Sequence, residues 1–141
     1  MSVSMTQFSE SQLRQIGEQA RAEHDEIVGK CYEICHTFGN ILIDLGLPYR
    51  DNSNYQVYQV RIGENGEEPH YVFELNTEYY QKEVSKCIVD LSMDQFNDEN
   101  RKRGIVDVSL GPKRDINQIH IYHRSPERIR YYTTTSQFLS N

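Results

Sequence analysis

Seven apolar side chains, Cys31, Ile34, Cys35, Phe38, Ile41, Leu42 and Leu45, recur at steps of 3, 1, 3, 3, 1 and 3. A helix places such a series on one face, because its period is close to 3.6, whereas a strand would need strict alternation. The spacing predicts a helix over residues 30–45 with one face buried. Gly46 then offers a C-terminal stop, and Pro48 cannot continue the helix. A buried helical face needs a partner surface, which the rest of the chain has to supply.

That surface reads as a sheet. Residues 55–62 are rich in Tyr and Val, Gly63-Glu64-Asn65-Gly66 is a turn signal, and residues 70–75 read as a return strand. The two strands should form an antiparallel hairpin. After a polar connection over 76–86, the run Cys87-Ile88-Val89-Asp90-Leu91 is apolar except for its acid. Residues 105–110 and 119–122 look like two further strands, separated by Gly111-Pro112. From Ser125 onward the chain is a polar tail, in which Thr133-Thr134-Thr135 favours either a late strand or disorder. Upstream, residues 9–28 read as a surface helix. Ser9 is its N-cap, Gln12 is in the capping-box position, and Leu13, Ile16, Ala20 and Ile27 form a thin apolar stripe ending before Gly29. Helix, helix, then strands is an α+β order, with the central Cys-bearing helix packed on a mostly antiparallel sheet. The 141 residues make one domain: an N-terminal surface helix to residue 28, a core over 29–123 and a polar tail over 124–141.

Charge and cysteine content narrow the function. The chain carries a net −6, so general affinity for a phosphate backbone is not expected. The charge is uneven, net −11 over residues 1–100 and net +5 over 101–141. Arg101-Lys102-Arg103, and Arg128 and Arg130 beside Tyr131 and Tyr132, keep nucleic-acid contact open as a minor reading. No Gly-rich phosphate loop, internal repeat or low-complexity tract is present. No apolar run approaches the ~20 residues that span a bilayer, and residues 1–10 lack the charge and apolar stretch of a secretory signal. Three cysteines cannot all pair with one another, and Cys31 and Cys35 lie one helical turn apart. Reduced thiols and a cytoplasmic location are the expectation.

Three residues have chemically loaded settings. Cys31 follows Gly29-Lys30 at the first turn of the buried helix, where unpaired backbone N–H groups and the positive dipole end favour a thiolate. Its own N–H would point toward an oxyanion formed by attack of its sulfur. His70 follows Pro69 and a Gly-rich turn, at the start of a strand. Asp90 is a carboxylate within an apolar run, costly to bury without a partner. Thiol, imidazole and carboxylate are the parts of a cysteine-nucleophile triad. The spacing leaves alternatives open. Cys35 could be the nucleophile or a core thiol, and Asp94 or Asp107 could take the place of Asp90. Cys87 reads as a core thiol. Cys31, Cys35, His120 and His123 could be assembled into a zinc site, although positions three apart on a strand face opposite sides.

The segments Gly29-Lys30-Cys31-Tyr32-Glu33, His70-Tyr71-Val72-Phe73-Glu74-Leu75 and Val89-Asp90-Leu91-Ser92-Met93-Asp94-Gln95-Phe96 resemble the three motifs of the transglutaminase-like, papain-fold cysteine hydrolases. Those proteins show a Cys opening a helix, a His before an aromatic-apolar strand, and an Asp in an Asp-x-Thr-x-x-Gln-Phe pattern. Val108-Ser109-Leu110-Gly111-Pro112 extends the likeness, which covers about residues 30–122. Ser92 stands where Thr is usual, and no Trp adjoins Cys31; Tyr32 or Tyr71 is available as the aromatic neighbour. The resemblance implies a catalytic triad of Cys31, His70 and Asp90, no cofactor, no metal, and a peptide or small acyl substrate. It implies hydrolysis or acyl transfer without separating them. The competing expectation is a protein-binding module that keeps the fold without the activity.

Overall fold

The helices form where side-chain pattern and caps coincide. In the computed structural model, which describes residues 7–25, 30–48, 54–62, 68–92, 119–124 and 132–139, helix α1 spans Glu10–Ala22. Its capping box is complete: Gln12 N donates to Ser9 Oγ at 3.1 Å, and Ser9 N donates to Gln12 Oε1 at 2.8 Å. Helix α1 ends at Ala22 rather than at residue 28 because its apolar stripe stops at Ala20; Glu23 and His24 offer the core nothing to bury. Ile27 and Gly29 lie outside the described residues.

Helix α2 spans Cys31–Asp44, close to the expected range. Its end is a full Schellman motif. Gly46 has φ 119°, Gly46 N donates to the Ile43 carbonyl at 3.0 Å, and Leu47 N donates to the Leu42 carbonyl at 2.9 Å. Leu42 and Leu47 are both buried in the main core, the apolar contact that accompanies this motif.

Five strands follow: β1 (Tyr55–Ile62), β2 (Glu68–Leu75), β3 (Ile88–Asp90), β4 (His120–Tyr122) and β5 (Tyr132–Leu139), with a 3-10 turn at Thr77–Tyr79. They form one sheet in the order β4-β3-β2-β1-β5, and every strand pairing is antiparallel. β1 and β2 pair antiparallel as expected, with register from Tyr55↔Leu75 to Ile62↔Glu68, and β2 starts two residues earlier than the sequence suggests. The segment read as a polar tail contains β5, which pairs along β1, so the late strand is the alternative that holds. Its Tyr, Thr and Phe content suits a strand, but the pairing partner is far away in sequence and invisible to local pattern. The strand expected over 105–110 and the Gly111-Pro112 turn lie outside the described residues. The chain is thus α+β, with α2 lying on the antiparallel sheet.

The core sits between the helices and the sheet. Phe38 of α2 meets Phe73 of β2 edge-on, with centroids 4.7 Å apart at 84°, and Tyr55 of β1 stacks on Phe73 at 4.8 Å. Helix α1 approaches the β3–β4 side closely. A Cβ on Gly17 would fall 2.6 Å from Ile119 Cδ1 and 3.0 Å from Leu91 Cδ2, a separation that only glycine permits without displacement. Arg14 and Arg21 reinforce this seam by donating to the Ile119 and Leu91 carbonyls, the latter at 2.8 Å.

Candidate functional site

Four polar side chains are buried among the described residues: Asn54, His70, Asp90 and Ser92. Buried polar groups are costly unless bonded. Asn54 is accounted for, since its side-chain amide donates to the Pro48 carbonyl and closes the loop ahead of β1. The other three gather in one place.

Strand pairing brings them together. The register Phe73↔Val89 and Glu74↔Ile88, continued by the antiparallel run, carries Asp90 toward the start of β2, where His70 lies. His70 Nε2 is 2.8 Å from Asp90 Oδ1, with both side chains 0% exposed. Ser92 N donates to the same oxygen at 3.3 Å, so the chain leaving β3 turns back on the carboxylate. Ser92 Oγ is buried and has no hydrogen-bond partner among the described residues.

Cys31 completes the group. It is the first residue of α2, is buried, and is hydrogen-bonded to the His70 ring. The N-cap residue, Lys30, makes no side-chain cap bond, and Cys31 stands at the positive end of the helix dipole. Two opposed effects set the ionisation of His70. Burial disfavours its charged form, but the Asp90 charge and hydrogen bond, helped by Cys31, outweigh it and raise the pKa from 6.5 to about 10. The proton therefore resides on the imidazole at neutral pH.

The remaining thiols have different surroundings. Cys35 is 0% exposed, and its Sγ donates to the Tyr71 carbonyl at 3.7 Å. Burial, then the charges of Cys31 and Asp90, hold its pKa well above 9.0, so it is a neutral core thiol. Cys87 lies just before β3 in the same core, and burial, with the charges of Glu10 and Glu74, lifts it to about 12. All three cysteines are free thiols. Asp94, Asp107, Gln95 and Phe96 lie outside the described residues; within them, Asp90 is the acid on His70. His123 Nε2 is bonded to the Tyr80 hydroxyl at 3.1 Å, and no group of three or more metal-ligating side chains gathers among the described residues.

The sequence offered Tyr32 or Tyr71 as the aromatic neighbour of Cys31, but not their meeting with each other or with His36 and Gln59. Tyr32 and Tyr71, which follow Cys31 and His70 in the chain, pack against each other at 5.0 Å and 72°, and His36 meets Tyr32 at 4.4 Å. Gln59 Nε2 donates to the Tyr71 hydroxyl at 2.9 Å, fixing that ring. Tyr32 remains 40% exposed, a large aromatic surface next to the buried thiol. Burial lowers the pKa of His36 against the opposing pull of Glu33, which favours the neutral imidazole. The i, i+4 spacing of Tyr32 and His36 was readable on the helix; their meeting with Tyr71 depends on how α2 crosses β2. A separate polar cleft of about 210 Å³ opens near Tyr55, Glu74 and Lys86, at the far end of β2 from His70, and no cysteine or histidine lines it. None of the protein-family models, the curated proteins or the solved structures matches the chain.

Proposed function

We propose that this chain is a thiol-dependent hydrolase or acyl transferase acting on an amide or related acyl group, with Cys31 as nucleophile, His70 as base and acid, and Asp90 orienting His70. One observation carries the reading. The buried His70–Asp90 pair, 2.8 Å apart, shares its imidazole with the thiol at the N-terminus of α2. A core histidine kept only for packing has no need of a buried carboxylate on one side and a sulfur on the other. The motif resemblance at residues 29–33, 70–75 and 89–96 supports the same assignment.

The steps follow from where the protons are. Asp90 occupies Nε2 of His70, which leaves Nδ1 for the sulfur. With the proton on the ring, Cys31 reacts as thiolate: the S–C bond forms at the carbonyl carbon, and the carbonyl π electrons move to oxygen. The Cys31 N–H, at a helix N-terminus, stabilises that oxyanion. As it collapses, His70 gives its proton to the leaving amine, and a thioester remains on Cys31. His70, now neutral, takes a proton from water or from an incoming amine as it attacks; the C–S bond then breaks, which releases the acyl group and restores the thiolate–imidazolium pair. Substrate is a peptide or small acyl compound reaching the sulfur past Tyr32, and the free thiols suit a reducing, cytoplasmic setting.

A second reading has a specific observation behind it. Cys31 is only 6% exposed and His70 is 0% exposed, as in a binding module whose site is retained without turnover. Site-resolved alkylation with iodoacetamide separates the two. The enzyme reading expects Cys31 to label at least about tenfold faster than Cys35 and Cys87, and to lose that advantage in His70→Ala. Slow labelling of all three cysteines, indifferent to His70, would favour the binding module.

A further inference from the structure

Asp90 has a second imidazole beside it. In the ladder between β3 and β4, Asp90 and His120 are direct partners. Side chains of direct partners in an antiparallel pair stand on one face with Cβ atoms about 4.5–5.5 Å apart. His70 reaches the same carboxylate from β2, so Asp90 is flanked by a histidine on each neighbouring strand. A carboxylate offers about four acceptor positions on two oxygens. On Oδ1, His70 Nε2 and Ser92 N already occupy two. His120 is half-buried and its ring lies nearly parallel to that of Tyr122, with centroids 6.0 Å apart at 14°, which limits its swing. Other titratable or charged groups bear on the carboxylate from the packed elements. Cys35 on α2 feels its charge, Cys31 couples to it through His70, and Arg21 on α1 binds the adjoining Leu91 carbonyl.

We propose that His120 is a positioning residue, donating a ring hydrogen bond to the Asp90 carboxylate and keeping it aimed at His70. The proposal rests on the Cys31–His70–Asp90 reading and adds to it a member that touches no reacting atom. A buried carboxylate held from one side only is free to turn about its Cα–Cβ bond; held from both neighbouring strands, it has one orientation. A neutral imidazole suffices for this, since one ring N–H is enough. Loss of His120 should loosen Asp90, and His70 would then hold its proton less tightly, so that the Cys31 thiolate loses its charged partner at a lower pH.

The test follows two readouts in the full chain, the pH dependence of Cys31 alkylation by iodoacetamide and the NMR titration of the His70 ring. In His120→Ala, the pH at which His70 loses its proton should fall by about one unit, and the matching inflection in the pH profile of Cys31 labelling should fall with it. His120→Asn, whose amide nitrogen takes the place of the ring Nδ1 that would donate to Asp90, should recover most of both. A purely structural role for His120 would lower thermal stability without moving the His70 titration. An unmoved titration in His120→Ala, with labelling still lost in His70→Ala, overturns the role of His120 and leaves the triad standing. Labelling unaffected in His70→Ala overturns the triad, and the role of His120 with it. Where His120→Ala does not fold, the parent decides: the His120 ring signals must shift as His70 gives up its proton, and signals blind to that step overturn the proposal.

Discussion

A carboxylate without solvent contact must be neutralised or compensated, and the compensation at Asp90 is the imidazolium of His70. Asp90→Asn keeps the shape and a hydrogen-bonding oxygen while removing the charge. Burial, which now opposes protonation of His70 and loses, would then prevail: instead of about 10, the ring should titrate below its ordinary 6.5. Imidazole NMR reads this directly, and a ring in Asp90→Asn that still titrates above 6.5 would show that charge is not what holds the proton. Because His70 turns neutral along with its partner, the stability loss should be about 1–3 kcal/mol rather than that of a stranded buried ion. Cys31 labelling, which needs the proton on His70, should slow by roughly 10²-fold or more. Cys31, His70 and Asp90 were all legible in the sequence, since each stood in a setting its chemistry made expensive or useful. His120 was legible as a strand residue and as one member of a candidate zinc site, but not as a neighbour of Asp90, because that pairing depends on how β4 returns to the sheet.

At the level of elements, close approach of backbone decides what substitution each helix tolerates. A Cβ on Gly39 of α2 would meet Tyr55 at 2.7 Å from Cζ, 2.8 Å from the hydroxyl and 3.0 Å from Cε1. That ring is stacked on Phe73 and has little room to yield. Gly39→Ala gains about 1 kcal/mol in helix propensity but overpacks the core by about 1–3 kcal/mol, so the net change should be destabilising. Tyr55→Phe should not relieve it, because the ring carbons remain. Gly17→Ala in α1 differs, since its nearest neighbour is Ile119 Cδ1, the far end of a flexible side chain. Chemical denaturation should therefore rank Gly17→Ala as the milder change, and the reverse order would place the tight helix–sheet contact at α1. Neither glycine announced itself in the sequence. The period of α2, its Gly46 stop and the β1–β2 hairpin are local facts that side-chain order encodes. The depth of Gly39 against Tyr55 and the attachment of β5 to β1 are set by elements distant along the chain.

For the whole molecule, the protonation of the site leaves a signature in stability against pH. A group whose pKa is raised on folding contributes stability that is present below its unfolded pKa and lost as pH climbs to its folded pKa. For His70 that window runs from 6.5 to about 10. His36, whose pKa is lowered mainly by burial, weakens the fold only as pH drops below 6.5. Cys35 and Cys87, raised mainly by burial from 9.0, and Tyr80, raised mainly by burial from 10.0 to about 12, act in the alkaline range. Between 6.5 and 9 the His70–Cys31 pair is thus the main contributor among the shifts identified. If the proton on His70 comes from the thiol of Cys31, folding takes up no net proton there, and the parent should show a nearly flat stability profile. Cys31→Ala removes that internal donor while Asp90 still holds His70 protonated. Its folded state then binds one proton more than its unfolded state, and stability should fall with rising pH by up to about 1.4 kcal/mol per unit. Urea midpoints at intervals across pH 6.5–9 for the two chains test this. A parent that declines as steeply as Cys31→Ala would mean the sulfur keeps its proton beside a charged ring, and the thiolate on which the proposed chemistry depends would be absent.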